Sequence, residues 1–98
     1  MSEGTLRRRV TITNPQGFHM RPQSVFVQKA KQFVSKVTLV RDDQRVDGKR
    51  QWELMLLAAE QGTELELEVS GPDAEAALDA LAEILESASV DELPNSIP

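Results

Sequence analysis

Alternation of apolar and polar residues is strongest near the end of the chain. TELELEVS, residues 63–70, puts Leu65, Leu67 and Val69 on one face and Glu64, Glu66 and Glu68 on the other. A period of two is the signature of a half-buried strand. LRRRVTIT, 6–13, repeats it more weakly, with Leu6, Val10 and Ile12 inward and Arg7, Arg9, Thr11 and Thr13 outward. KVTLVR, 36–41, is a third strand with Val37 and Leu39 inward. The turn-prone DDQR at 42–45 leads to a short fourth around Val46. Between these segments the period lengthens. Phe26, Ala30 and Phe33 recur at helical spacing, with Val27 and Val34 beside them, and predict a helix over about 20–34. QWELMLLAAEQG, 51–62, predicts a short helix closed by Gly62. GPDAEAALDALAEILES, 71–87, predicts the strongest helix, with Ala74, Ala77, Leu78, Leu81 and Leu85 as its buried stripe and Pro72 and Asp73 in its first turn.

The resulting order, β-α-β-β-α-β-α, predicts an α+β fold in two layers. Helices cover one face of an antiparallel sheet and water covers the other, where the three glutamates of 63–70 belong. The 98 residues suit one domain spanning 1–88, followed by a loose tail at 89–98, SVDELPNSIP, which has two prolines and no periodicity.

Composition narrows the function. The chain has no cysteine, which removes thiol chemistry and thiolate metal sites. Its net charge of -5 argues against nucleic acid as a partner, and Arg7, Arg8 and Arg9, the one basic cluster, suit a solvated strand or terminus. The start MSEGTLRRRV has no apolar run of the kind a signal peptide needs. The longest apolar stretch, residues 54–59, is too short to span a bilayer. The expectation is a soluble cytoplasmic protein without membrane insertion.

The candidate chemistry lies in GFHMRPQS, 17–24, around His19, the single histidine. The loop NPQG, 14–17, hands over to the first helix there. Pro22 falls within the first turn, where its missing N–H has no intrahelical partner to lose. His19 is therefore at or beside an N-cap, where orphan N–H groups and the helix dipole favour an anion. Arg21 adds a guanidinium suited to phosphate oxygens. A neutral imidazole attacking a phosphoryl group, with the product's oxygens held by first-turn N–H groups and Arg21, accounts for this set. A lone histidine without cysteine lacks a metal-ligand set, and no serine is marked as a nucleophile. A polar surface residue at an N-cap is the plainer alternative, and the residues alone leave both open.

The run NPQGFHMRP resembles the active-site signature of the histidine-containing phosphocarrier (HPr) family of the bacterial sugar phosphotransferase system. VDGKRQWELMLLAAEQGTELELEVSGPDAEAAL resembles that family's second half, so the likeness spans about residues 8–87. The resemblance implies an open-faced β-sandwich in the same element order. It implies phosphorylation of His19 on Nδ1, with Arg21 and Pro22 completing the site. The phosphoryl group would come from phosphoenolpyruvate through enzyme I and go to a IIA component. That makes the chain a monomeric carrier with a covalent phosphohistidine, needing no cofactor, rather than a stand-alone enzyme. The other functional reading is a regulatory module whose phosphohistidine state controls a kinase, transporter or transcription factor. A module that is never phosphorylated would leave the His19 set without a purpose.

The chain also departs from the family. Met20, Gln23 and Ser24 stand where the family has small residues, and Phe18 where leucine is common. Arg50 occupies the position of a regulatory serine, so control by a serine kinase does not carry over. Glu53 stands where relatives often carry a basic residue. The expected partner interface comprises Phe18, Met20, Gln23, Arg50, Trp52 and Met55, with Phe18, Trp52 and Met55 as apolar anchors. For Trp52 the alternative is a place in the core.

Overall fold

A computed structural model of the chain describes residues 4–87, and the stretch 89–98 expected to form a loose tail lies outside them. The elements are β1 (Thr5–Thr11), α1 (Met20–Ala30), β2 (Lys36–Arg41), β3 (Gln44–Asp47), α2 (Gln51–Met55), β4 (Glu64–Ser70) and α3 (Ala74–Leu85). The strands form one antiparallel sheet in the order β1-β4-β2-β3. Most of the expected inward positions are buried, namely Val10, Val37, Leu39, Val46, Leu65, Leu67 and Val69, but Leu6, expected inward with Val10, is exposed near the start of the edge strand β1. The buried ones meet Phe26, Val27 and Ala30 of α1, Leu54 of α2, and Ala77, Leu78, Leu81 and Leu85 of α3 in one core. This is the two-layer α+β sandwich that the patterning predicts.

Departures from the predicted elements trace to hydrogen bonds between segments distant in sequence. α1 stops at Ala30 rather than near 34, and Val34 is exposed. The backbone there is drawn away from helical bonding: Phe33 O accepts Lys49 Nζ at 2.8 Å, and the Val34 and Ser35 amides donate to Asp73 at 2.9 and 3.0 Å. α2 covers only Gln51–Met55 rather than 51–62. Arg41 Nη1 donates to the Leu57 and Ala58 carbonyls at 2.7 and 2.9 Å, and Ala58 turns the chain with φ 48°. Gly62 does not cap this helix. It lies in the turn before β4, where its N–H donates to Ile12 O at 2.8 Å. At the other sequence-predicted helix start, Asp73 is the N-cap of α3 and Pro72 precedes it.

The outer sheet face also differs in one respect. Glu64 is exposed and Glu66 intermediate, but Glu68 is buried. Arg45 from β3 and Arg7 from β1 close over it, with Arg45 Nη2 at 2.6 Å and Arg7 Nε at 3.3 Å from its carboxylate. The remaining arginines of the basic cluster also pair, Arg8 with Asp79 of α3 at 2.7 Å and Arg9 with Glu64 at 3.6 Å. The cluster is therefore part of the strand's own packing.

Candidate functional site

The loop that presents His19 is built from short-range turns. Asn14 accepts from the Gln16 amide through Oδ1 (2.9 Å) and from the Gly17 amide through its backbone O (2.8 Å), closing a turn around Pro15. Gly17 has φ 77°, and a Cβ there would lie 2.7 Å from Ala59 O and 3.0 Å from Glu60 Cα. Only glycine satisfies both conditions. The Phe18 amide then donates to that same Ala59 carbonyl at 2.8 Å. Its ring turns inward and meets Phe26 edge-on, with centroids 5.9 Å apart.

His19 is the N-cap of α1, in extended backbone at φ -89° and ψ -169°. Its carbonyl accepts the first helical bond from the Gln23 amide at 3.0 Å. The imidazole does not cap its own helix and makes no hydrogen bond to any described residue, and the side chain is half-buried. Arg21 is exposed in the first turn, which holds no acidic residue. Pro22 sits at the third helical position and is buried, as a residue with no N–H to satisfy tolerates there. The structure therefore brings His19, Arg21 and Pro22 together at one helix start, where orphan N–H groups favour an anion.

α2 lies beside this point, with Gln51 Nε2 donating to Met20 O at 3.2 Å. Met20, Trp52, Met55 and Leu56 are each more than half exposed, so Trp52 is not a core residue. Leu56 is the member missed in the sequence. Its signal was there in the i, i+3, i+4 spacing of 52, 55 and 56, which opposes the buried pair Leu54 and Leu57. Arg50, the N-cap of α2, places Nε 3.4 Å from an Asp47 carboxylate oxygen. Glu53 reaches back to accept the Asp47 amide at 2.8 Å, so its carboxylate is engaged within the chain.

Two expected interface residues are not on the surface. Phe18 and Gln23 are each 5% exposed. Phe18 is core because the Gly17 turn directs its ring under α1. Gln23 is covered because it faces back onto the 18–19 peptide, where its Nε2 donates to Phe18 O at 2.7 Å. Among the described residues no group of three or more His, Asp or Glu side chains is placed to hold a metal ion, and no helix is long and apolar enough to cross a membrane.

Residues 6–87 match the family model described as the PTS HPr component phosphorylation site. Over 78 residues the chain is 45% identical to the phosphocarrier protein HPr of Treponema pallidum, covering 80% of this chain and 89% of that protein. It is 41% identical over 80 residues to the phosphocarrier protein HPr of Neisseria meningitidis, covering 82% and 90%. Among solved structures, the phosphocarrier protein HPr of Bacillus anthracis superposes with a TM-score of 0.81 at 31% identity, covering 85% of this chain and 99% of that one.

Proposed function

The chain belongs to the HPr family of phosphocarrier proteins, and on that premise we propose that His19 takes a phosphoryl group from phosphorylated enzyme I and passes it to a IIA component. The observation that carries this reading is the N-cap imidazole left without a hydrogen bond on a loop whose backbone is tied on both sides. A ring nitrogen bonds to phosphorus as the donor's bond to phosphorus breaks, and the other ring nitrogen keeps its proton. The three phosphoryl oxygens then rest among first-turn N–H groups and the Arg21 guanidinium. Onward transfer reverses the step, with the acceptor's nucleophile taking the phosphorus. A single copy supplies every residue needed, and the group travels from phosphoenolpyruvate in the cytoplasm without a cofactor.

Met20, Trp52, Met55 and Leu56 form the apolar part of the docking face, with Arg21 and Arg50 as its cations. Apolar anchors ringed by charge suit a partner with an apolar groove and an acidic rim. Arg50 has no hydroxyl to receive a phosphoryl ester, so control by a serine kinase at this position is absent.

The test uses enzyme I, labelled phosphoenolpyruvate and a panel of IIA domains. The wild type should acquire acid-labile, base-stable label and pass it to at least one IIA domain. Label that enters but never leaves would favour the regulatory role, and label that never enters would defeat both.

A further inference from the structure

Three consecutive carbonyls around His19 are each held. Phe18 O accepts Gln23 Nε2 at 2.7 Å, His19 O accepts the Gln23 backbone amide at 3.0 Å, and Met20 O accepts Gln51 Nε2 at 3.2 Å. Two of the three donors belong to one residue. Gln23 thus grips the peptide groups on both sides of His19, one through its backbone and one through its carboxamide. The backbone bond would form with any non-proline residue at this position, because it is the ordinary first bond of a helix. The side-chain bond would not, since it needs a donor on an arm long enough to reach back five residues.

The carboxamide is held at a cost. Gln23 is 5% exposed, and its Oε1 is buried with no donor among the described residues. A buried amide oxygen without a donor is unfavourable, and an apolar side chain of the same shape would avoid it. Packing alone does not explain a glutamine here. What the glutamine supplies and an apolar residue lacks is the N–H on the Phe18 carbonyl. The His19 ring has no hydrogen bond of its own to fix it, so its position depends on its backbone.

We infer that Gln23 is a positioning residue for phosphoryl transfer, holding the Phe18–His19 peptide so that the imidazole meets phosphorus in a fixed orientation. This role rests on His19 being the phosphoryl acceptor. Gln23 is buried and offers little surface for a partner to contact, so its assigned role is in the transfer step and not in recognition.

The experiment compares wild type with Gln23→Met, which keeps the shape and removes both polar atoms, and with Gln23→Ala as a second variant. Single-turnover transfer from phosphorylated enzyme I gives the maximal rate and the half-saturating concentration separately, with thermal melts run in parallel. Both variants should lose about fivefold in maximal rate, the scale of one neutral hydrogen bond, with half-saturation unchanged. Gln23→Met should melt at or above the wild-type temperature, because it removes the unpaired oxygen. Rates equal to wild type overturn the role, as does a rate loss that follows a loss of stability in both variants. A wild type that takes up no label at all overturns the phosphocarrier reading itself, a result distinct from either.

Discussion

α1 and α3 both begin at a polar residue that fails to cap its own helix, and the two side chains have opposite fates. Asp73, at the start of α3, gives its carboxylate to another part of the chain. It accepts the Val34 and Ser35 amides and the Ser35 hydroxyl, and that hydroxyl in turn accepts the Asp73 amide at 3.2 Å. His19, at the start of α1, gives its imidazole to no described residue, although the backbone around it is tied by Phe18, Gln23 and Gln51. One helix start is closed by its own fold and the other is held open by it. A fixed backbone with an unengaged side chain is what the proposed phosphoryl acceptor requires.

The largest effect expected from breaking this contrast is at His19. His19→Ala should abolish phosphoryl uptake from enzyme I and leave the melting temperature unchanged, because the ring makes no bond that folding needs. Label retained in that variant would end the assignment. Asp73→Ala should do the reverse. It removes a bridge between the 34–35 loop and α3 and should lower Tm by about 4–8 °C, typical for losing one such interaction in a domain of this size. Transfer per folded molecule should stay at the wild-type level. Ser35 foremost, then the Val34 amide, holds the Asp73 carboxyl below the usual carboxylate range. Its contribution is therefore complete above the ordinary aspartate value of about 3.9 and is lost as pH falls through the lower folded value. The Tm gap between wild type and Asp73→Ala should close in acid. A gap that persists to low pH would show that the carboxylate charge is not what binds the loop.

The difference between these two helix starts was only partly legible in the sequence. The alternation in 63–70 and the stripe of 71–87 fix strand and helix faces, because burial on one side imposes the period. The helix start at His19 was readable for a different reason, the local backbone constraints of Pro22 and the turn residues before it. What the pattern did not carry was long-range hydrogen bonding. Val34 continues the apolar spacing of α1, yet Asp73, 39 residues away, claims its amide and the helix stops sooner. α2 shortens because Arg41 takes carbonyls 16 and 17 residues downstream. Phe18 reads as an exposed anchor until Gly17 is seen to turn its ring inward, and Gln23 reads as polar surface until it is seen to bind Phe18 O. These partners are distant in sequence, act through a backbone angle or, for Gln23, reach back five residues by a polar side-chain bond, and apolar periodicity records none of these.

A third effect, smaller than these, extends the contrast from single helix starts to the two faces of α2 and the turn that follows it. Leu54 and Leu57 are fully buried, whereas Trp52 is 59% exposed. Trp52→Ala should weaken enzyme I binding by about tenfold, the scale of a moderate interface anchor. Its melting temperature should stay within a degree or two of the wild type. A collapse in stability with unchanged binding per folded molecule would return Trp52 to the core and leave Met20, Met55 and Leu56 as the docking surface.

The smallest expected effect is at Glu68, another carboxylate engaged within the fold. Burial alone would raise its pKa, but the hydrogen bond from Arg45, supported by Arg7, outweighs that and holds it below the usual range. Both arginines are more than half exposed, so solvent and salt screen the pairing, and Glu68→Gln should cost no more than about 1 kcal/mol at neutral pH. The folded pKa is lowered, so the stabilisation is present above the ordinary glutamate value of about 4.3 and fades as pH drops through the lower folded value. Melts of wild type and Glu68→Gln should therefore separate slightly at pH 7, converge as pH falls through the lowered folded value, and draw closer in high salt at neutral pH. A separation that ignores both acid and salt would mean that the carboxamide fits poorly under Arg45 and Arg7, and that shape rather than charge holds this face of the sheet. Phosphoryl uptake should be identical in the two proteins. Like Asp73, Glu68 has its side chain taken up inside the fold, and a variant there that slowed transfer would break the division between engaged and unengaged groups.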